Sequence, residues 1–251
     1  MNLHALVNHR LVRLTILDCG TFWVHGGQRL IGIPAYLLET DKGARILVDG
    51  GFPRTYWENP DKEAAADDLD TFGRLVDYGP RQSLPEQLAL VGITPRDIDL
   101  HILTHGHIDH VGALGEIACP LLLSDIERSD PRPSYFPKRQ PIAWPEVETH
   151  RLSADTQICD GIEVILTPGH TPGHVSLRLN LAKTGTVILA ADAINRASEP
   201  AEGYNDDPDP SAARNSAARL LRLAAETGGM LIYGHDPAQW PKLKKAPASY
   251  D

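Results

Sequence analysis

Cysteine is scarce and its spacing pairs none of it: Cys19, Cys119 and Cys159 are an odd number, with no Cys-x-x-Cys among them. That argues against a disulfide framework and against a cysteine-built zinc module. No long apolar run occurs either, although 42% of the residues are hydrophobic. A soluble globular chain without a membrane span is therefore expected. The first ten residues lack the basic start, continuous apolar block and small-residue cleavage site of a secretory signal, so the expected location is the cytoplasm. Positive charge is also in deficit. A formal net charge of -9 leaves no basic field to replace counterions on phosphates, which disfavours a nucleic-acid partner. The small cluster Lys242, Lys244 and Lys245 reads as a solvated tail. Because no Gly-x-Ser-x-Gly elbow is present, a serine esterase would lack its central residue.

Imidazole, by contrast, is concentrated in one place. Residues 103–112 read Leu-Thr-His-Gly-His-Ile-Asp-His-Val-Gly, so His105, His107, Asp109 and His110 fall within six positions. Core packing does not explain such a cluster; a metal site does. His105 and His107 lie two apart and project to one side of an extended segment, where they can share a cation. Asp109 and His110 follow the turn and face elsewhere, towards a second cation roughly 3.5–4 Å from the first, as in binuclear hydrolases.

Upstream, residues 11–17 suit a strand followed by a turn. Residues 21–27 are aromatic and then glycine-rich, either a loop over a pocket or a hairpin whose rings join the core. Residues 31–40 and 45–51 read as a β-hairpin around Asp41-Lys42-Gly43. Asp49 then either supports a metal ligand from behind or caps its own backbone. Residues 52–81 form a long insertion or lid with one helical stretch around 67–76. Ser83-Leu84-Pro85-Glu86 has capping-box spacing and opens a helix that ends at Gly92. A strand over 97–103 delivers His105, and residues 112–118 open a helix. Residues 120–124 suit a buried strand. Residues 131–145 are irregular, with Tyr135, Phe136 and Trp144 forming an apolar substrate wall or filling gaps under the loop.

The strand pattern over 161–167 runs into His170, that over 187–192 ends on Asp192, and that over 230–235 ends on His235. Four strand ends thus deliver metal-binding side chains, as expected where an open edge between sheets holds a site. Asp209-Pro210 opens an alanine- and leucine-rich helix stopped by Gly228-Gly229, with Ala213, Ala217, Leu220, Leu221 and Ala224 on one face. Two packed β/α halves covered by helices, in one domain over 1–251, fit this order.

The series His105-x-His107-x-Asp109-His110, then His170 in a Thr-Pro-Gly-His setting, then Asp192 and His235, resembles the ligand series of the metallo-β-lactamase superfamily. The resemblance spans most of the chain and implies an α/β fold, an αββα four-layer sandwich with a binuclear site at one edge. It implies two divalent metal ions, one held by His105, His107 and His170, the other by Asp109, His110 and His235, with Asp192 bridging. His174 stands outside that series and is expected to brace the loop. Nitrogen and oxygen donors without thiolate suit zinc and admit iron, manganese or cobalt.

Within the superfamily the chain is similar to N-acyl homoserine lactonases in size, in Ile33-Pro34-Ala35-Tyr36-Leu37-Leu38 before Val48-Asp49-Gly50-Gly51, in the extended region that follows, and in the ending Tyr233-Gly234-His235-Asp236-Pro237. The likeness implies a small-molecule lactone partner and a quorum-quenching hydrolase. Two cations sharing a water would supply hydroxide near neutral pH, and Asp109 would pass a proton to the leaving alkoxide. The alternatives are another lactone, for example a pyridoxal-derived one, or a glyoxalase II-like thioester, which would favour a basic pocket not evident here. One departure concerns the tyrosine that many such lactonases carry three positions after the bridging aspartate: here it is Asn195. Either Asn195 is the catalytic donor through its amide, or Tyr204 reaches in, or the substrate differs. The exposed aromatic loops are compatible with a homodimer.

Overall fold

The computed structural model describes residues 3–133 and 142–251. Seven strands, β1 Leu11–Val24, β2 Arg29–Thr40, β3 Arg45–Val48, β4 Gly73–Asp77, β5 Leu100–Ile102, β6 Leu121–Ser124 and β7 Thr149–Leu152, form one sheet in the order β4-β1-β2-β3-β5-β6-β7. Five more, β8 Thr156–Cys159, β9 Ile162–Leu166, β10 Val175–Leu181, β11 Gly185–Ala191 and β12 Met230–Tyr233, form a second in the order β12-β11-β10-β9-β8.

The period of two along each strand sorts side chains between layers. Tyr36, Leu38, Ile46 and Val48 point inward and meet Leu177, Val187, Leu189 and Ile232 of the other sheet in one buried cluster. Their neighbours Leu37 and Leu47 point outward and pack under Leu84, Leu88, Ile93 and Ile98. On the far side, Ile188 and Ala190 point outward beneath Ala213, Ala217 and Leu220 of the helix Pro210–Thr227. The layers run helix, sheet, sheet, helix: the four-layer sandwich. The long helix begins as its residues dictate. Asp209 accepts the N–H groups of Ser211 and Ala212, Pro210 takes the first turn, and Gly228 ends the helix at φ 60°.

Several local expectations give way to tertiary pairing. β1 does not turn after Leu17 but runs on to Val24 through an irregularity between Asp18 and Thr21, where Gly20 has φ 104°. Residues 21–27 are accordingly the hairpin alternative, with Phe22 buried and stacked on Phe52 and Phe72 at 5.9 and 6.1 Å. The helix expected over 67–76 is replaced by the short helix Leu69–Phe72 followed by β4, which pairs with the open edge of β1. Gly73 permits that approach, since a Cβ there would lie 2.2 Å from the Phe22 ring. Ser83 opens the helix Leu84–Ala89 without capping it, its hydroxyl donating to Pro80 O instead. The helix expected over 112–118 shrinks to a single 3-10 turn, Gly112–Gly115.

Lys245 is no free tail residue. Its ammonium sits 4.4 Å over the Trp240 ring and donates to Trp240 O, while Tyr250 pairs with Leu14. Trp144 donates to Asp130 O and packs on the outer face of the first sheet. Tyr135 and Phe136 lie outside the described residues. All three cysteines are free. Among the described residues, no helix is long and apolar enough to cross a membrane.

Candidate metal centre

Every side chain of the ligand series leaves from a loop just beyond a strand. His105 to His110 follow β5 of the first sheet, and His170, Asp192 and His235 follow β9, β11 and β12 of the second. The loop after β5 is held on both flanks. Gly112 N–H donates to Gly51 O at 2.8 Å, where a Cβ on Gly112 would lie 2.3 Å from Phe52 O. Across the sheets, Val175 N–H donates to Thr104 O at 3.0 Å.

The structure brings all seven series residues together. One group holds His105, His107, His170 and Asp192, and a second holds Asp109, His110 and His235, with possible ligand atoms within 4.8 Å of one another in each. Asp192 stands between them. Its Oδ2 lies 3.2 Å from His170 Nε2 and 3.8 Å from His105 Nε2, while Oδ1 lies 3.4 Å from His110 Nε2 and 3.2 Å from His235 Nε2. Asp109 Oδ2 is 3.3 Å from His235 Nε2 and 3.6 Å from His110 Nε2, and His107 turns Nδ1 to His170 Nε2 at 3.0 Å.

The outer nitrogens are committed elsewhere, which aims the inner ones. Asp49 Oδ2 takes His110 Nδ1 at 2.9 Å and also accepts the Thr104 hydroxyl, which in turn meets His105 Nδ1 at 3.1 Å. His170 Nδ1 meets Asp207 at 3.0 Å, and His235 Nδ1 donates to Gly32 O at 2.9 Å. Such partners fix tautomer and ring orientation at metal sites. Of the two roles open to Asp49 in the sequence, the geometry has the carboxylate on Thr104 and His110. His174 is placed behind the ligands. Asp192 N–H donates to His174 Nε2 at 3.1 Å, so the proton is on Nδ1, which meets Thr167 Oγ1 at 2.8 Å. Burial holds His174 well below the usual histidine range, and the adjacent His170 adds to the effect.

A cation fits the donor set. His105 Nε2, His110 Nε2, His235 Nε2 and Asp192 Oδ1 are buried polar atoms without a hydrogen-bond partner, a costly state unless another group completes them. Donors around a tetrahedral ion with bonds of about 2.0–2.2 Å lie roughly 3.3–3.6 Å apart, and the contacts above span that spacing. Electrostatics point the same way. Burial alone would raise Asp109, yet His110 and His235 hold it down at about 2. Burial opposes charge on His170 and His235, but Asp192 and Asp207 lift the first to about 9, and Asp192 and Asp109 lift the second to about 10. The carboxylates demand positive charge between them.

Asn195 is turned into its own loop. Its backbone N–H donates to Glu199, and its amide nitrogen lies 3.5 Å from both Asp192 O and Glu199 Oε1. Tyr204 has φ 58° and packs among Ile165, Ile188 and Ile194 beneath the long helix, its buried hydroxyl unpartnered. Three contributors escaped the sequence reading. Thr104 has no spacing that marks it. Asp207 sits in an acidic run, 206–209, that reads as solvated. Glu127, whose carboxylate accepts the Gly106 N–H between His105 and His107, follows Ser124 at capping spacing, a signal for a helix start alone.

A layered αββα sandwich with paired cation-binding groups at one sheet edge defines a class of metal-binding α/β protein. The family model described as the metallo-beta-lactamase superfamily matches residues 28–235, and the chain belongs to that superfamily. Among its relatives, the N-acyl homoserine lactonase AttM of Azorhizobium caulinodans is 29% identical over 252 residues, with 90% of each chain covered. An N-acyl homoserine lactonase of a Bacillus species is 31% identical over 249 residues, covering 94% of this chain and 89% of the relative. In fold, the chain matches an N-acyl homoserine lactone hydrolase solved with N-hexanoyl-L-homoserine bound at the catalytic metal center. There the TM-score is 0.82 at 24% identity, over 96% of this chain and 100% of that one.

Proposed function

We propose that this protein is a binuclear metal-dependent hydrolase that opens the lactone ring of N-acyl homoserine lactones, a quorum-quenching activity. The observation that carries the metal reading is the placement of Asp192, with one oxygen facing His105 and His170 and the other facing His110 and His235. The substrate class comes from the activity named for the relatives. Imidazole and carboxylate donors without thiolate suit zinc. When bound, two such cations supply Lewis acidity at a carbonyl oxygen and lower the pKa of water to near neutrality.

The chain's own residues do the rest. Asp49, Thr104, Asp207 and Gly32 O hold four imidazoles in fixed orientation, so the pocket is organised before substrate arrives. Asp109, ionised across the neutral range, accepts a proton in transit and hands it to the alkoxide as the ring C–O bond breaks. Water is consumed, and the product carries a carboxylate and an alcohol, with one proton released to solvent.

The zinc-loaded protein is assayed for acid release with N-acyl homoserine lactones of several chain lengths, in ¹⁸O-labelled water. Expected is one proton per ring opened, with the label in the carboxylate. A protein that holds two equivalents of metal yet releases no acid from any member of the panel overturns the assignment.

A further inference from the structure

Glu127 belongs to neither ligand group, yet its carboxylate touches the two loops that carry His105, His107 and His170. It lies in the short helix Asp125–Ser129 and is buried. A buried carboxylate is costly unless donors fill its lone pairs. Here two do: Gly106 N–H at 2.7 Å on Oε1 and the Thr171 hydroxyl at 2.8 Å on Oε2. Gly106 separates His105 from His107. Thr171 follows His170, and Gly173 precedes His174, whose ring holds Asp192 N–H. The seat has no slack, because a Cβ on Gly173 would lie 2.3 Å from Ser124 Oγ and 2.4 Å from Glu127 N. One carboxylate therefore joins the histidine loop of the first sheet to the His170 loop of the second. His110 and His235 are oriented by different groups, Asp49 and Gly32 O.

We propose that Glu127 is a positioning residue for one half of the centre: it sets the separation of His107 and His170, and through it the affinity of the cation held by His105, His107 and His170. The proposal rests on the metal-dependent reading above. Removing the carboxylate frees Gly106 and Thr171 from a common anchor and lets the two loops drift apart. Glutamine keeps the shape and one acceptor oxygen, but its amide nitrogen cannot accept an N–H. It rescues part of the function.

The wild-type protein, Glu127→Gln and Glu127→Ala are loaded with zinc and titrated against a chromogenic chelator, and each metal-free form is melted. Expected for Glu127→Ala is a loss of about 10–100-fold in affinity at one of two equivalents, with the other unchanged. Glu127→Gln falls between this variant and wild type, with a metal-free melting temperature close to wild type. If Glu127→Ala does not fold, Glu127→Gln decides by the same split. Wild-type affinity at both equivalents overturns the clamp, as does equal weakening of both. A wild-type chain that takes up no cation overturns the metal reading and the clamp with it, whereas unchanged variants overturn the clamp alone.

Discussion

Asp49 holds His110 by its outer nitrogen, with Oδ2 2.9 Å from Nδ1. The same carboxylate accepts the Thr104 N–H at 2.8 Å and the Thr104 hydroxyl, whose oxygen meets His105 Nδ1. A single side chain on the first sheet thus orients one imidazole in each ligand group.

Replacing Asp49 by Ala is expected to weaken both metal equivalents, by about 10–100-fold each, with the larger loss at the His110 half where contact is direct. Chelator titration of the purified variant measures this. It separates Asp49 from Glu127, whose loss acts on one half. Two equivalents bound at wild-type affinity would show that the carboxylate does not orient the rings.

Cation uptake displaces protons. At pH 7.5 the metal-free centre carries protons on His170, raised to about 9, and on His235, raised to about 10. Coordination needs both imidazoles neutral, so binding releases on the order of two protons or more near that pH. Calorimetry in buffers of different ionisation enthalpy counts them. Asp192→Asn removes a charge that raises both groups, so it is expected to lower the count along with the affinity. A buffer-independent heat in the wild type contradicts this account.

His101 sets an acid limit of its own. Burial drives its pKa down to about 4, against a partial counter-effect from Asp49. In the unfolded chain the ring takes a proton as pH falls through 6.5, whereas the folded ring stays neutral until about 4. Stability contributed by the neutral ring is level above pH 6.5 and declines as pH drops through that window, by roughly 3 kcal/mol at most. His101→Leu is expected to flatten the metal-free stability profile between pH 6.5 and 4. Parallel profiles for the two proteins would remove His101 as the cause.

His105, His107, Asp109 and His110 were legible because one short loop crowds them together, and Asp192 and His235 because each follows a short unbroken apolar run of strand length. The supporting partners are a different matter. Asp49 meets Thr104 and His110 across 55 and 61 positions, and no local pattern encodes that meeting. Glu127 and Asp207 carry spacings that also serve a helix start or a solvated turn. Residues 67–76 show the same limit in the fold. Their local pattern favours a helix, but the open edge of β1 offers backbone pairing that a helix there would forgo, and pairing wins. Asn195 and Tyr204 stood open in the sequence. Their side chains now lie against Glu199 and under the long helix.

The single histidine loop of the first sheet and the three ligand-bearing ends of the second converge on one seam, where His235 already reaches across to the backbone of β2 at Gly32. Ions seated there would act as rivets through both layers. Neither half of a loaded chain could peel away without dismantling a coordination sphere, so filling the centre would raise the melting temperature of both sheets together.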